Sequence, residues 1–236
     1  MRDSRPSFNV YMITSLSVII FYLLECDTLL SLVKPVIVPA IFYYYIQTTR
    51  YKISKSFSIA LWLFFVSDMI EITDSNQGLI LIMSCSFVSY IIISAMVLSE
   101  KTEIRFSNTS VLFSILFAIT AVYMSIQVLI SVSLENVPKF IFFAMYAALI
   151  IVMVIYAIFR FFTEKDYVSQ ILLAMTMAMF VSDIFYGYAR FLIIDNAIIK
   201  VVSIIAQFVS YFWMVQYYNN RRPSLAKRTI CKNLKL

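Results

Sequence analysis

Histidine does not occur in this chain of 236 residues, and glycine occurs only twice. Without an imidazole, any mechanism that needs one is closed, and the commonest metal ligand is missing. The three cysteines, Cys26, Cys85 and Cys231, fall in different regions with no paired spacing. That spacing argues against a zinc site and gives no sign of a disulfide framework. Charge is scarce too: 14% of residues are charged and 62% hydrophobic, against roughly 25% and 45–50% in an average soluble domain. A soluble protein of this size could not hide so much apolar surface. Its natural solvent is lipid.

What is present is a series of apolar runs. Polar breaks divide them into eight spans, at about 8–24, 29–46, 57–72, 78–98, 109–133, 139–162, 169–194 and 196–218. Several are long enough to cross about 30 Å of hydrocarbon unaided. The expected fold is therefore all-α, a polytopic transmembrane helix bundle forming one integral membrane domain over 1–236. The third span is the weakest, being short and carrying Asp68 and Glu71. The seventh and eighth are separated only by Asp195-Asn196, a tight helical turn. Arg2 and Arg5 resemble a signal-peptide n-region, but the first run ends Leu24-Glu25-Cys26-Asp27 without a small-x-small cleavage pattern. It is kept as a span.

Basic residues are unevenly divided between the two sides. Fifteen of the 19 Lys and Arg lie on the side of the N-terminus, while Lys34, Lys139, Arg190 and Lys200 lie on the other. The positive-inside rule then puts both termini in the cytoplasm, here expected to be that of a bacterium with the protein in its inner membrane. Six of the fifteen (Arg221, Arg222, Lys227, Arg228, Lys232 and Lys235) form a basic tail over 219–236 that carries the formal charge of +6. Such a tail can touch anionic lipid, and no nucleic-acid partner is expected.

Two short strings recur in order. Phe65-Val66-Ser67-Asp68 returns as Phe180-Val181-Ser182-Asp183, and Phe87-Val88-Ser89-Tyr90 returns as Phe208-Val209-Ser210-Tyr211. Each match is cheap in a membrane helix. Together they point to two four-helix halves in a 4+4 parallel repeat, because spans three and seven run the same way.

Asp68 and Asp183 are the informative residues, as each interrupts an apolar run. An ionised carboxylate at a helix centre costs about 2.5–3.5 kcal/mol in insertion measurements, so both are expected to face the bundle interior or a wet cavity. A protonated carboxyl beside an ionised one is an arrangement used in general acid catalysis; the bland alternative is a hydrogen bond tying helices together. Glu71 shares the face of Asp68, and Arg190 lies on the face of Asp183 about 10 Å along the axis. Lys34 opens the second span before Pro35. With Glu71 and Arg190 it would lie towards the outer side, in a charge-balanced pocket, unless Lys34 and Arg190 simply snorkel to the interface. Gly187, one turn after Asp183, suggests close helix approach. Tyr90, Gln207 and Tyr211 fall mid-span, where each could hydrogen-bond into the same pocket.

Val33-Lys34-Pro35, Ser67-Asp68, Phe87-Val88-Ser89-Tyr90, Phe180-Val181-Ser182-Asp183 and Ala206-Gln207 together resemble the YhhN family over nearly the whole chain. Those are eight-helix membrane proteins that include the animal lysoplasmalogenases. The resemblance implies a hydrolase that cleaves the vinyl-ether bond of a lysophospholipid, releasing a fatty aldehyde, with Asp68 and Asp183 as its catalytic core. Lys34, Glu71, Tyr90, Arg190 and Gln207 are the candidate substrate-binding residues. The family often carries a histidine after Phe-x-Ser in span four, and Tyr90 stands there instead.

The chemistry itself asks for two carboxyls. One protonates the terminal alkene carbon of the vinyl ether, and the other stabilises the resulting oxocarbenium ion and deprotonates water, the division of labour seen in glycosidases. No metal or nucleotide cofactor is required. Two other readings use the same residues: a proton- or cation-coupled transporter, and a non-catalytic lipid-binding protein. Against transport, the spans lack the Gly/Pro interruptions of broken helices. A retinal protein is excluded by the absence of a mid-helix lysine in the last spans.

Overall fold

In the computed structural model, residues 5–49, 51, 53–72, 78–100, 106–133, 137–192 and 196–221 are described. Asp195 of the expected turn, the basic tail after Arg221, and the loop residues Arg50, Lys52, Lys101 and Arg105 lie outside the described residues. The chain forms α1 (Arg5–Leu23), α2 (Asp27–Val33), a 3-10 turn (Lys34–Val36), α3 (Ile37–Thr48), α4 (Lys55–Ile72), α5 (Gly78–Leu98), α6 (Asn108–Ser133), α7 (Val137–Glu164), α8 (Tyr167–Phe191) and α9 (Ala197–Asn220). Every regular element among the described residues is helical. Helix is the natural outcome for uninterrupted apolar runs in lipid, because it pairs each backbone N–H and C=O within its own segment.

With so little glycine, the chain ends helices on other residues. Glu25, Tyr51 and Lys165 adopt φ of 55°, 64° and 50°, the left-handed region that glycine usually fills after a helix, at a cost of about 1–2 kcal/mol each. After α1 the Cys26 N–H donates to the Phe21 carbonyl at 3.0 Å, which closes the helix end across Glu25. The starts of the last two helices are capped by side chains: Asp166 accepts from the Ser169 N–H at 2.8 Å and Asn196 from the Ile198 N–H at 2.9 Å.

Among the described residues seven segments are long and apolar enough to cross a membrane, with α2, the 3-10 turn and α3 acting as one of them. The second span thus differs from the continuous helix expected. Pro35 has no N–H to donate, and the backbone tightens to a 3-10 turn over Lys34–Val36. The exception among the long helices is α4, which carries Lys55, Asp68 and Glu71. It does not need to dissolve both its carboxyls in lipid, since Asp68 is buried inside the protein. Large apolar side chains such as Leu112, Leu116 and Ile119 on α6 remain exposed, as befits a helix whose outer face meets hydrocarbon.

The closest pairs are α8 with α9 and α4 with α5; α6 packs on α7, α7 on α8, and α1 on α3. Serines allow these approaches. Ser89 Oγ donates to the Ala60 carbonyl at 3.1 Å across α5 and α4, and Ser203 Oγ to the Ser182 carbonyl at 2.8 Å across α9 and α8. Without a hydrophobic drive between helices in lipid, small side chains and such bonds, worth about 0.6–2 kcal/mol each, supply the cohesion. Two further contacts cross the molecule: α5 touches α7, and α9 touches α3.

At the ends of α5, α7 and α9 sits a fully buried Arg160. Its guanidinium meets Glu100 at 2.7 Å and Glu164 at 2.9 Å, and donates to Tyr217 Oη at 3.2 Å. This basic residue is a staple between helices rather than a loop charge.

Candidate active site

Asp68 comes from α4 and is 4% exposed. Its partners come from α9. Gln207 Nε2 donates to Asp68 Oδ1 at 2.8 Å, and Tyr211 Oη donates to Oδ2 at 3.1 Å. Gln207 and Tyr211 stand one helical turn apart, 3.0 Å from each other between amide nitrogen and phenol oxygen, so a single face of α9 clamps both carboxylate oxygens.

Asp183 comes from α8 and is half-buried. Tyr90 from α5 donates to its Oδ2 at 2.7 Å, and Tyr146 from α7 donates to the same oxygen at 2.8 Å. Among the described residues Oδ1 has no protein partner. The two carboxyls are thus held differently, one by a donor on each oxygen and the other by two donors on one.

Both aspartates line one cavity of about 380 Å³ formed by α4, α5, α8 and α9, with Tyr22 of α1 at its wall. The lining is built from helix faces. Ser67, Asp68 and Glu71 face it from α4; Ser182, Asp183, Tyr186 and Arg190 from α8; and Lys200, Ser203 and Gln207 from α9. The spacings of three, four and seven residues put each set on one side of its helix. Three carboxyls, one guanidinium and one ammonium converge there, alongside serine hydroxyls.

Of the residues selected from sequence, Asp68, Glu71, Asp183, Arg190 and Gln207 all line this cavity. Lys34 and Tyr90 do not; they stand behind its wall. Lys34 Nζ pairs with Glu71 Oε2 at 2.6 Å, reaching from the 3-10 turn to α4, with the two side chains 13% and 30% exposed. Tyr90 acts through Asp183. Sequence reasoning missed Tyr146, which is one tyrosine in a long apolar run with nothing local to distinguish it. It also missed Lys200 as a lining residue, although Lys200, Ser203, Gln207 and Tyr211 follow one helical face and could have been read together. Gly187 does mark a close approach: a Cβ there would stand 3.1 Å from Val128 Cγ1 of α6. No group of three His, Cys, Asp or Glu converges as metal ligands would among the described residues.

A bundle of apolar helices around a polar, carboxyl-lined cavity defines an integral membrane protein with a buried polar site. Compared with protein-family models, curated proteins and solved structures, the chain matches none.

Proposed function

We propose that this chain is a YhhN-like membrane hydrolase that cleaves the vinyl-ether bond of lysoplasmalogen-type lysophospholipids by carboxyl acid–base chemistry. The observation that carries this is the meeting of Asp68 and Asp183 in one cavity of about 380 Å³ inside a membrane bundle. Structural carboxyls tying helices together have no need of a shared wet space or of opposing cations on its walls.

The unequal clamping supports a division of roles. Among the described residues Asp183 Oδ1 has no protein partner, so a carboxylic proton there can reach a substrate in the cavity. Asp68 has both oxygens engaged as acceptors, as a carboxylate presents them. Asp183 donates its proton to the alkene carbon β to the ether oxygen, and the π electrons of the double bond form the new C–H bond. The oxocarbenium ion that results lies against the Asp68 carboxylate. Water adds to the cationic carbon and gives up a proton to a carboxylate. The hemiacetal then breaks its C–O bond to the glycerol: its hydroxyl proton passes to the ionised carboxylate, the departing oxygen takes a proton from the protonated carboxyl, and an aldehyde remains. One water is consumed, and both carboxyls return to their starting states.

The crossed bonding also supports a duplicated, eight-span architecture. Asp68 of the first half takes a phenol from Tyr211 of the second, and Asp183 of the second takes one from Tyr90 of the first. The recurrent strings pair these residues in order, and the α5–α7 and α9–α3 contacts are exchanged in the same sense. Counting α4 as a span, with both termini cytoplasmic, the cavity lies towards the outer side.

Hydrolysis in D2O tests the chemistry. Proton transfer to carbon leaves one deuterium on the carbon next to the aldehyde carbonyl, at early time points before exchange. Purified protein that releases no aldehyde but carries protons or cations into liposomes would replace the hydrolase with a transporter.

A further inference from the structure

A second cavity lies between α5, α6, α7 and α8, and its walls are nearly all hydrocarbon: Val128, Leu129, Phe143, Ile150 and Phe180 among others. It shares Ile82, Asp183 and Tyr186 with the polar cavity. A third cavity, between α3 and α4, is also apolar, being lined by Val38, Phe42, Leu61 and Trp62, but it shares no lining residue with the polar one. Of these two apolar compartments the one between α5, α6, α7 and α8 meets the polar cavity, and it does so at Asp183, whose Oδ1 has no protein partner among the described residues.

We infer that this compartment, of about 90 Å³, is the subsite for the first carbons of the substrate's hydrocarbon chain, those next to the reacting bond, and that the Gly187–Val128 approach within it sets which chains enter. The inference rests on the reading of the polar cavity as the site of hydrolysis. The physical grounds are a change of solvent character at Asp183. A head group with both charges finds carboxyls, Arg190 and Lys200 on one side, whereas a chain finds aliphatic and aromatic walls on the other. The bond joining the two would then lie against Asp183. Val128 and Gly187 both line the apolar side, and the absent Cβ is what lets α6 and α8 meet. Added bulk at either position must take space from the compartment or part the helices, because a Gly187 Cβ already stands within 3.1 Å of Val128 Cγ1.

The probe is a saturated-ether lysophosphatidylcholine with a diazirine on its chain a few carbons from the ether oxygen, used on the full protein in nanodiscs. It has no vinyl ether to cleave, so photolabelling reads binding alone. The expected adducts fall on Val128, Phe143, Ile150 and Phe180, saturate with dose, and are competed by the unlabelled lipid. Val128→Phe should cut this labelling by about tenfold or more, the scale on which a filled pocket rejects extra carbons. Adducts spread over the lipid-facing Leu112, Leu116 and Ile119, without saturation, would overturn the inference. If Val128→Phe fails to fold, the wild-type map decides alone. Cavity labelling without aldehyde from a vinyl-ether lipid would keep the subsite and remove the hydrolase. Aldehyde release with labels only elsewhere would do the reverse.

Discussion

Asp183 accepts two phenols on one oxygen, while Asp68 accepts an amide and a phenol on separate oxygens. That difference makes the tyrosines testable as positioning residues. Hydrogen bonds to a charged group contribute about 1.5–3 kcal/mol, so Tyr90→Phe and Tyr146→Phe should each slow aldehyde release by about tenfold or more. Neither should alter how much protein is extracted, since both rings stay packed in the core. Unchanged rates in the double variant would remove Asp183 from the chemistry. On the proposed YhhN-like reading, Tyr90 also stands where that family often has histidine. A phenol can donate to Asp183 as an imidazole would, although it cannot be a cation at neutral pH.

At the scale of the helix, seven of the apolar runs were readable as spans because their hydrophobicity is continuous and their breaks are polar, whereas the run that became α4 carries Lys55, Asp68 and Glu71. The internal structure of those runs was less so. A 3-10 turn at Lys34–Val36 follows from Pro35, yet its consequence, the 2.6 Å pair from Lys34 to Glu71 of α4, depends on how two helices pack. The same limit hid Tyr146 and the inward side of Lys200: periodicity gives a face, and only packing says what the face meets. Arg160 is the clearest case. By position it is a span-end cation, but in the fold it holds Glu100 and Glu164 in a buried cluster. Arg160→Met should lower stability by about 3–5 kcal/mol, because it strands carboxylates away from water. Adding Glu100→Gln should restore a large part of that loss. Thermal unfolding in detergent reads both, and equal stability of the single variant and wild type would show the cluster to be solvated.

Across the whole molecule, the proposed 4+4 repeat and orientation make a joint prediction. Helices α1–α5 should superpose on α6–α9 with Asp68 and Asp183 at equivalent depth, and a reporter active only in the cytoplasm should be active at the C-terminus. A silent reporter at normal expression would move the cavity to the inner side. Composition alone indicated the membrane, and the paired strings are the sequence's ground for the proposed repeat. That Asp68 takes its phenol from α9 and Asp183 takes its two from α5 and α7 needed coordinates, since a recurring string does not say on which helix its partner stands. The direct test of the central claim compares aldehyde release from lysoplasmalogen by wild type, Asp68→Asn and Asp183→Asn in the same liposomes. Each amide nearly preserves shape and hydrogen-bonding capacity while losing the acid–base function, so folded, monodisperse protein is expected from all three. The account predicts aldehyde from wild type and none above background from either variant. Undiminished release from both variants would contradict it.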